Sequence, residues 1–164
     1  MSKPKRILAI DPGTREMGVA VLEGTDLLYH GVHVFLHRES GQSILEEGKA
    51  TVLRMIVDFD PEALAIEKTF FANNRNSALV NVLSDEIRTL GKRKHLQVLS
   101  FAPSTVKKRI TGNGHATKSE VAAVLVAQYP QLKGYVVDQP KWKQKFHANM
   151  FDAVALGLVA LSSL

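Results

Sequence analysis

The chain opens with a short apolar run, Arg6 to Ile10, that stops at Asp11 and the turn residues Pro12 and Gly13. Ile, Leu and Ala in a run bounded by Pro-Gly predict a strand buried at the centre of a sheet. Met17 to Glu23 and Leu27 to Phe35 predict two further strands joined at Gly24-Thr25-Asp26, so the chain begins as an antiparallel meander. Ile44, Leu45, Val52, Leu53, Ile56 and Val57 then recur at helical intervals. They follow a capping-box pattern at Ser43-Ile44-Leu45-Glu46 and precede Asp60-Pro61, which predicts an amphipathic helix ended by the proline. Ala63 to Ile66 is a second apolar run, and like the first it ends on an acid, Glu67. Because a helix carries the chain to it, parallel pairing beside the first strand is expected, with Glu67 at the same sheet edge as Asp11.

Ala78, Leu79, Val82, Leu83, Ile87 and Leu90 share one face of a second helix, which Gly91 is placed to end. Leu96 to Phe101 predicts a fifth strand, and Pro103-Ser104-Thr105 starts a helix over Val106 to Ile110. Thr111-Gly112-Asn113-Gly114-His115 is a turned loop, and Thr117-Lys118-Ser119-Glu120 is a capping box ahead of Val121 to Tyr129. Gln131 to Ala148, basic and broken by Gly134 and Pro140, carries no clear period. A last helix, Met150 to Leu156, is apolar except for Asp152 in its first turn. The order predicts an α/β domain over residues 1–164: a mixed five-stranded sheet, a three-strand meander plus two parallel strands, flanked by helices.

Composition narrows the chemistry. A chain of 164 residues with 45% hydrophobic and 23% charged residues has the length and makeup of one soluble globular domain. The absence of cysteine excludes disulfides and thiolate metal sites, leaving oxygen or imidazole as metal ligands, and fits a reducing, cytoplasmic setting. The basic amino terminus has no signal core behind it, since Asp11 interrupts the apolar run. The longest apolar stretch, Ala153 to Leu161, is about half a membrane span. A net charge of +5, with runs at Lys92-Arg93-Lys94, Lys107-Lys108-Arg109 and Lys141-Trp142-Lys143-Gln144-Lys145, is compatible with a polyanionic partner, although each run alone also suits a solvated face.

Asp11 and Glu67 close two buried strands and Asp152 interrupts an apolar helix, positions where a carboxylate is costly unless it binds something. Three acids near one sheet edge can hold two Mg²⁺ ions about 4 Å apart, the arrangement used in phosphodiester hydrolysis. Strand-end acids that merely cap turns are the plainer alternative.

Several motifs together carry a resemblance. Ile10-Asp11-Pro12-Gly13-Thr14 comes first, then Ile66-Glu67-Lys68-Thr69-Phe70-Phe71 with the Asn-rich turn and Ser77-Ala78-Leu79. Pro103-Ser104-Thr105-Val106-Lys107, Gly112-Asn113-Gly114, Ala116-Thr117-Lys118 and Asp152-Ala153-Val154-Ala155 follow in order. In this order the chain resembles the RuvC Holliday-junction resolvases of the ribonuclease H-like fold. The resemblance implies that Asp11, Glu67 and Asp152 ligate two Mg²⁺ ions, with Mn²⁺ as an alternative, and that Lys107 and Lys118 lie near the scissile phosphate. It also implies that Phe70 and Phe71 stack on bases at the unpaired crossover. Arg75, Lys107, Lys108, Arg109, His115 and Lys118 are the expected DNA contacts, and a homodimer, a four-way junction and a branch-migration motor the expected partners.

One position departs from the family. Where it has a metal-site Asp or His one helical turn before the last acid, this chain has Asn149, aimed the same way but neutral, able to give Mg²⁺ its carbonyl oxygen but not to act as a base. A natural variant with a weaker site, an Asp replaced by Asn to prevent cleavage, and His147 taking over the role are the three accounts, the replacement being favoured. The basic tract from Gly134 to Ala148 is longer than the family usually has and is an additional candidate for DNA contact. The leading expectation is an Mg²⁺-dependent endonuclease that nicks four-way junctions symmetrically. The alternatives are a related nuclease acting on RNA or flaps, a non-cleaving junction-binding module, or an actin-like ATPase or sugar kinase, the last disfavoured because 164 residues are too few for two lobes.

Overall fold

A computed structural model describes residues 2–68 and 75–164, without the side chains of 75–77. Strands β1 (Arg6–Asp11), β2 (Glu16–Glu23) and β3 (Asp26–Val34) form the meander, and helix α1 (Gly41–Phe59) leads to β4 (Ala63–Glu67). Helix α2 (Arg75–Arg93) leads to β5 (Gln97–Phe101). Then follow α3 (Pro103–Thr111), α4 (Lys118–Gln128), a 3-10 segment (Pro130–Tyr135), α5 (Lys141–Phe146) and α6 (Ala148–Leu161). The sheet order is β3-β2-β1-β4-β5, with β1–β2 and β2–β3 antiparallel and β1–β4 and β4–β5 parallel. This is the mixed five-stranded sheet that the pattern predicts.

Ile7, Leu8, Ala9 and Ile10 are all fully buried because helices cover both faces of the sheet. Ile7 and Ala9 face a core built with α3, α4 and α6, whereas Leu8 and Ile10 face one built with α1 and α2. That two-sided burial explains why β1 reads as a continuous apolar run rather than an alternating one.

Two glycines set how close α6 lies to the sheet. A Cβ on Gly18 would stand 1.9 Å from the Asn149 carbonyl oxygen, and one on Gly157 would stand 2.4 Å from Leu22 Cδ1. Since Gly18 is the cross-strand partner of Asp11, the start of α6 is pressed against the sheet beside that acid.

Three local expectations are corrected. The cap of α1 is Ser40, whose hydroxyl accepts from the Ser43 amide, so the helix starts before the predicted box. Gly91 does not end α2. The left-handed residue is His95, where the Leu96 amide bonds the Gly91 carbonyl and the His95 amide bonds that of Lys92, and Gly91 instead lets the helix approach Leu64. Helix α6 begins at Ala148, which puts Asp152 in its second turn rather than its first. The tract before it folds into the 3-10 segment and α5, short pieces whose length hides any period.

Candidate active site

The last residues of β1 and β4 sit side by side. Ile10 pairs in register with Ile66, so Asp11 and Glu67 emerge together at the carboxyl edge of two parallel strands and their side chains share a hydrogen bond. Asp11 is 8% exposed. Burial first, then the charges of Glu67 and Asp152, hold its carboxyl well above the usual Asp range, against a weaker pull from Lys118. Burial also raises Glu67, with Asp152 adding to it, while the bond from Asp11 and the charges of Lys118 and Lys107 act the other way. Both carboxyls are therefore held above their usual ranges, Asp11 well above.

Helix α6 brings Asp152 up to this pair, and α4 brings Lys118, whose Nζ donates to Asp152 Oδ2 at 3.1 Å. Burial pulls the Lys118 ammonium down, but Asp152, Asp11 and Glu67 more than offset it, leaving its pKa above the ordinary value. Thr117 accepts from the Glu120 amide at the start of α4 and so fixes the turn from which Lys118 projects. Lys107 on α3 lines a small cavity of about 120 Å³ together with Glu67, Lys118 and Asp152. Asp11, Glu67, Asp152, Lys107 and Lys118 thus come together from five elements. Among the described residues, no three His, Cys, Asp or Glu side chains stand close enough as placed to grip one ion.

The remaining predicted positions scatter. The Asn149 amide points at the β1–β2 turn, with Nδ2 3.4 Å from the Glu16 carbonyl. His147 lies against Tyr135 and Phe146, with Nδ1 2.8 Å from the Lys143 carbonyl, so its ring is engaged outside the acid cluster. Arg109 donates to Ser163 and sits 5.4 Å over the Phe101 ring, while Lys108 is exposed one position along from Lys107. His115 is exposed in the loop, its amide bonded to Asn113 Oδ1. Phe70 and Phe71 lie outside the described residues, as does the side chain of Arg75.

One positioning residue is invisible in the sequence pattern. Arg88 on α2 donates from Nη2 to the Glu67 carbonyl at 3.2 Å and from Nε to Ser100 Oγ at 3.3 Å, tying β4 and β5 together behind the acid. Asp85 holds its other nitrogen at 3.0 Å. The only signal was an ordinary i, i+3 charge pair on a helix.

Residues 7–158 match the family described as Crossover junction endodeoxyribonuclease RuvC. Curated RuvC proteins of Hydrogenovibrio crunogenus and Nitrobacter hamburgensis are 31% and 34% identical to the chain. Those matches cover 74% of this chain and 73% of the first relative, and 79% of each for the second. The solved Thermus thermophilus RuvC superposes with a TM-score of 0.75 at 25% identity, over 96% of this chain and 95% of that one. The same protein solved with a Holliday junction substrate gives 0.77, over 97% and 94%. On that match, spanning nearly the whole chain, the protein belongs to the RuvC family of crossover junction endodeoxyribonucleases.

Proposed function

We propose that this chain resolves four-way DNA junctions in recombination and repair, nicking two strands symmetrically as a homodimer in which each protomer contributes one acid cluster. The observation that carries the reading is the convergence of Asp11 and Glu67 at the ends of two paired parallel strands, with the Asp152–Lys118 pair beside them. Burial and like charge raise both carboxyls, the cost of holding two acids together at a strand edge, and a bound cation would relieve it. The donors are hard oxygens without sulfur, the set that Mg²⁺ or Mn²⁺ takes.

Asp11, Glu67 and Asp152 are the residues that would hold metal, one ion or two. When bound, the metal supplies Lewis-acid polarisation of the phosphate and a water made nucleophilic at neutral pH. The protein's own contribution is rigid placement: two acids on adjacent strands, a third on a helix pressed onto Gly18. Lys118, released from Asp152 when the acids are otherwise neutralised, can turn its ammonium to the charge growing on the phosphate oxygens, and Lys107 adds a second positive charge. Asn149 offers a carbonyl oxygen but no base. Phe70 and Phe71 are proposed to stack on bases at the crossover, with Arg75, Lys108, Arg109 and His115 on the DNA backbone. The reading carries with it a cytoplasmic location and a branch-migration motor as a further partner.

The test is cleavage of a synthetic four-way junction and of linear duplex of the same sequence, with Mg²⁺. Selective, symmetric nicking of the junction is expected, and Asp11→Asn should abolish it while leaving binding intact. Unimpaired nicking by that variant overturns the assignment. The neutral Asn149 favours one second reading, a junction-binding module that does not cut. An inactive chain whose Asn149→Asp variant cleaves would establish it, whereas activity in the chain as it stands excludes it.

A further inference from the structure

Beside the acid cluster lies a second, larger cavity of about 390 Å³. Its wall is apolar, formed by Val121 and Ala122 of α4, Tyr135 at the end of the 3-10 segment, and Phe151 of α6. Its lining also carries charge: Lys118 and Asp152, which belong to the acid cluster, and Lys145 of α5. Among the described residues Lys145 makes no ion pair. Gln144 donates to the Gln139 carbonyl at 2.9 Å and reaches the Val136 carbonyl at 3.5 Å, so α5 is tied to the segment that supplies Tyr135.

A largely apolar chamber with two ammonium groups in its lining suits an occupant with a flat, weakly polar part and an anionic part. Its volume lies at the lower end of the range for small-ligand sites. Because it shares Lys118 and Asp152 with the cavity of the acid cluster, the anion nearest to it would be the phosphodiester held at the proposed site of cutting. We propose that this cavity receives one nucleobase of the junction strand, that of a nucleotide flanking the cut phosphate, and thereby sets the sequence preference of cutting. The proposal rests on the nuclease reading above. Unstacking a base costs least where pairing is already broken, as at a crossover, and contact with Tyr135 and Phe151 would offset that cost.

The test uses the full chain and a set of immobile four-way junctions identical except at the nucleotides on either side of the cut, each carrying its base, an abasic site or 2-aminopurine. Loss of the base at one flanking position should slow cutting about tenfold, the scale of one stacked base. It should leave junction affinity nearly unchanged. At the same position 2-aminopurine should change fluorescence on binding, a signal that needs no cutting. Ala122→Leu, which fills the cavity, should cut the intact junction at the abasic rate, lose no more on the abasic junction, and give no fluorescence change. Equal cutting at every flanking position, or losses in Ala122→Leu that simply add to those of the abasic site, overturns the pocket. The wild-type panel decides even if that variant fails to fold. If nothing is cut but the fluorescence changes, the nuclease reading falls while the base pocket stands, and if neither occurs both fall.

Discussion

Replacing Asp11 by Asn should make the metal-free protein more stable while abolishing its activity. Asp11 is buried against Glu67 with its carboxyl held well above the usual range by burial and by the neighbouring acids. The native state therefore holds this proton more tightly than the unfolded chain does. From the ordinary Asp value upward, stability falls as pH rises through the folded pKa, and it is fully present only below the unfolded one. Two unit charges about 4 Å apart at an effective dielectric near 20 repel by about 4 kcal/mol. Lys118 and Lys107 screen part of that, so roughly 2 kcal/mol remains to be relieved, or about 4–8 °C in Tm for a chain of this size. Asn keeps the shape, carries no charge, and its amide can donate to Glu67. In thermal melts with chelator at pH 8, Asp11→Asn should melt about 4–8 °C above wild type. The gap should close toward pH 4, where wild-type Asp11 keeps its proton. Mg²⁺ at about a hundred times its Kd should lift wild type by about 2.7 kcal/mol and the variant much less. A variant that melts at or below wild type at pH 8, or a gap indifferent to pH, refutes the reasoning.

Gly18→Ala should cost about 3 kcal/mol or more and misplace α6, because a Cβ there meets the Asn149 carbonyl at 1.9 Å; denaturant melts and junction cleavage should fall together. Lys118→Met should lower the single-turnover cutting rate by about 10²–10³ while junction affinity changes little, and a loss confined to affinity would contradict the role given to its ammonium. Arg88→Met should cost about 1.5–3 kcal/mol in urea unfolding through the freed Glu67 carbonyl, with a smaller fall in cutting than Lys118→Met produces.

Much of this fold follows from local pattern. Short apolar runs that end on an acid marked β1 and β4, helical spacing marked α1 and α2, and an intervening helix between two strands dictates parallel pairing, which is why Asp11 and Glu67 could be expected at one edge. Pro103 announced α3 because its ring presets φ for the first turn, and Thr117 announced α4 because a cap is a contact among neighbours in the chain. Other features depend on atoms remote in sequence. His95 rather than Gly91 turns the chain out of α2, since Gly91 is needed where the helix meets Leu64. The raised carboxyl of Asp11 depends on burial and on Glu67 and Asp152 acting together, and Arg88 matters only because folding sets it behind β4. The chamber exists only where Tyr135, from a short piece with no period of its own, meets α4 and Phe151 of α6, so packing alone creates it.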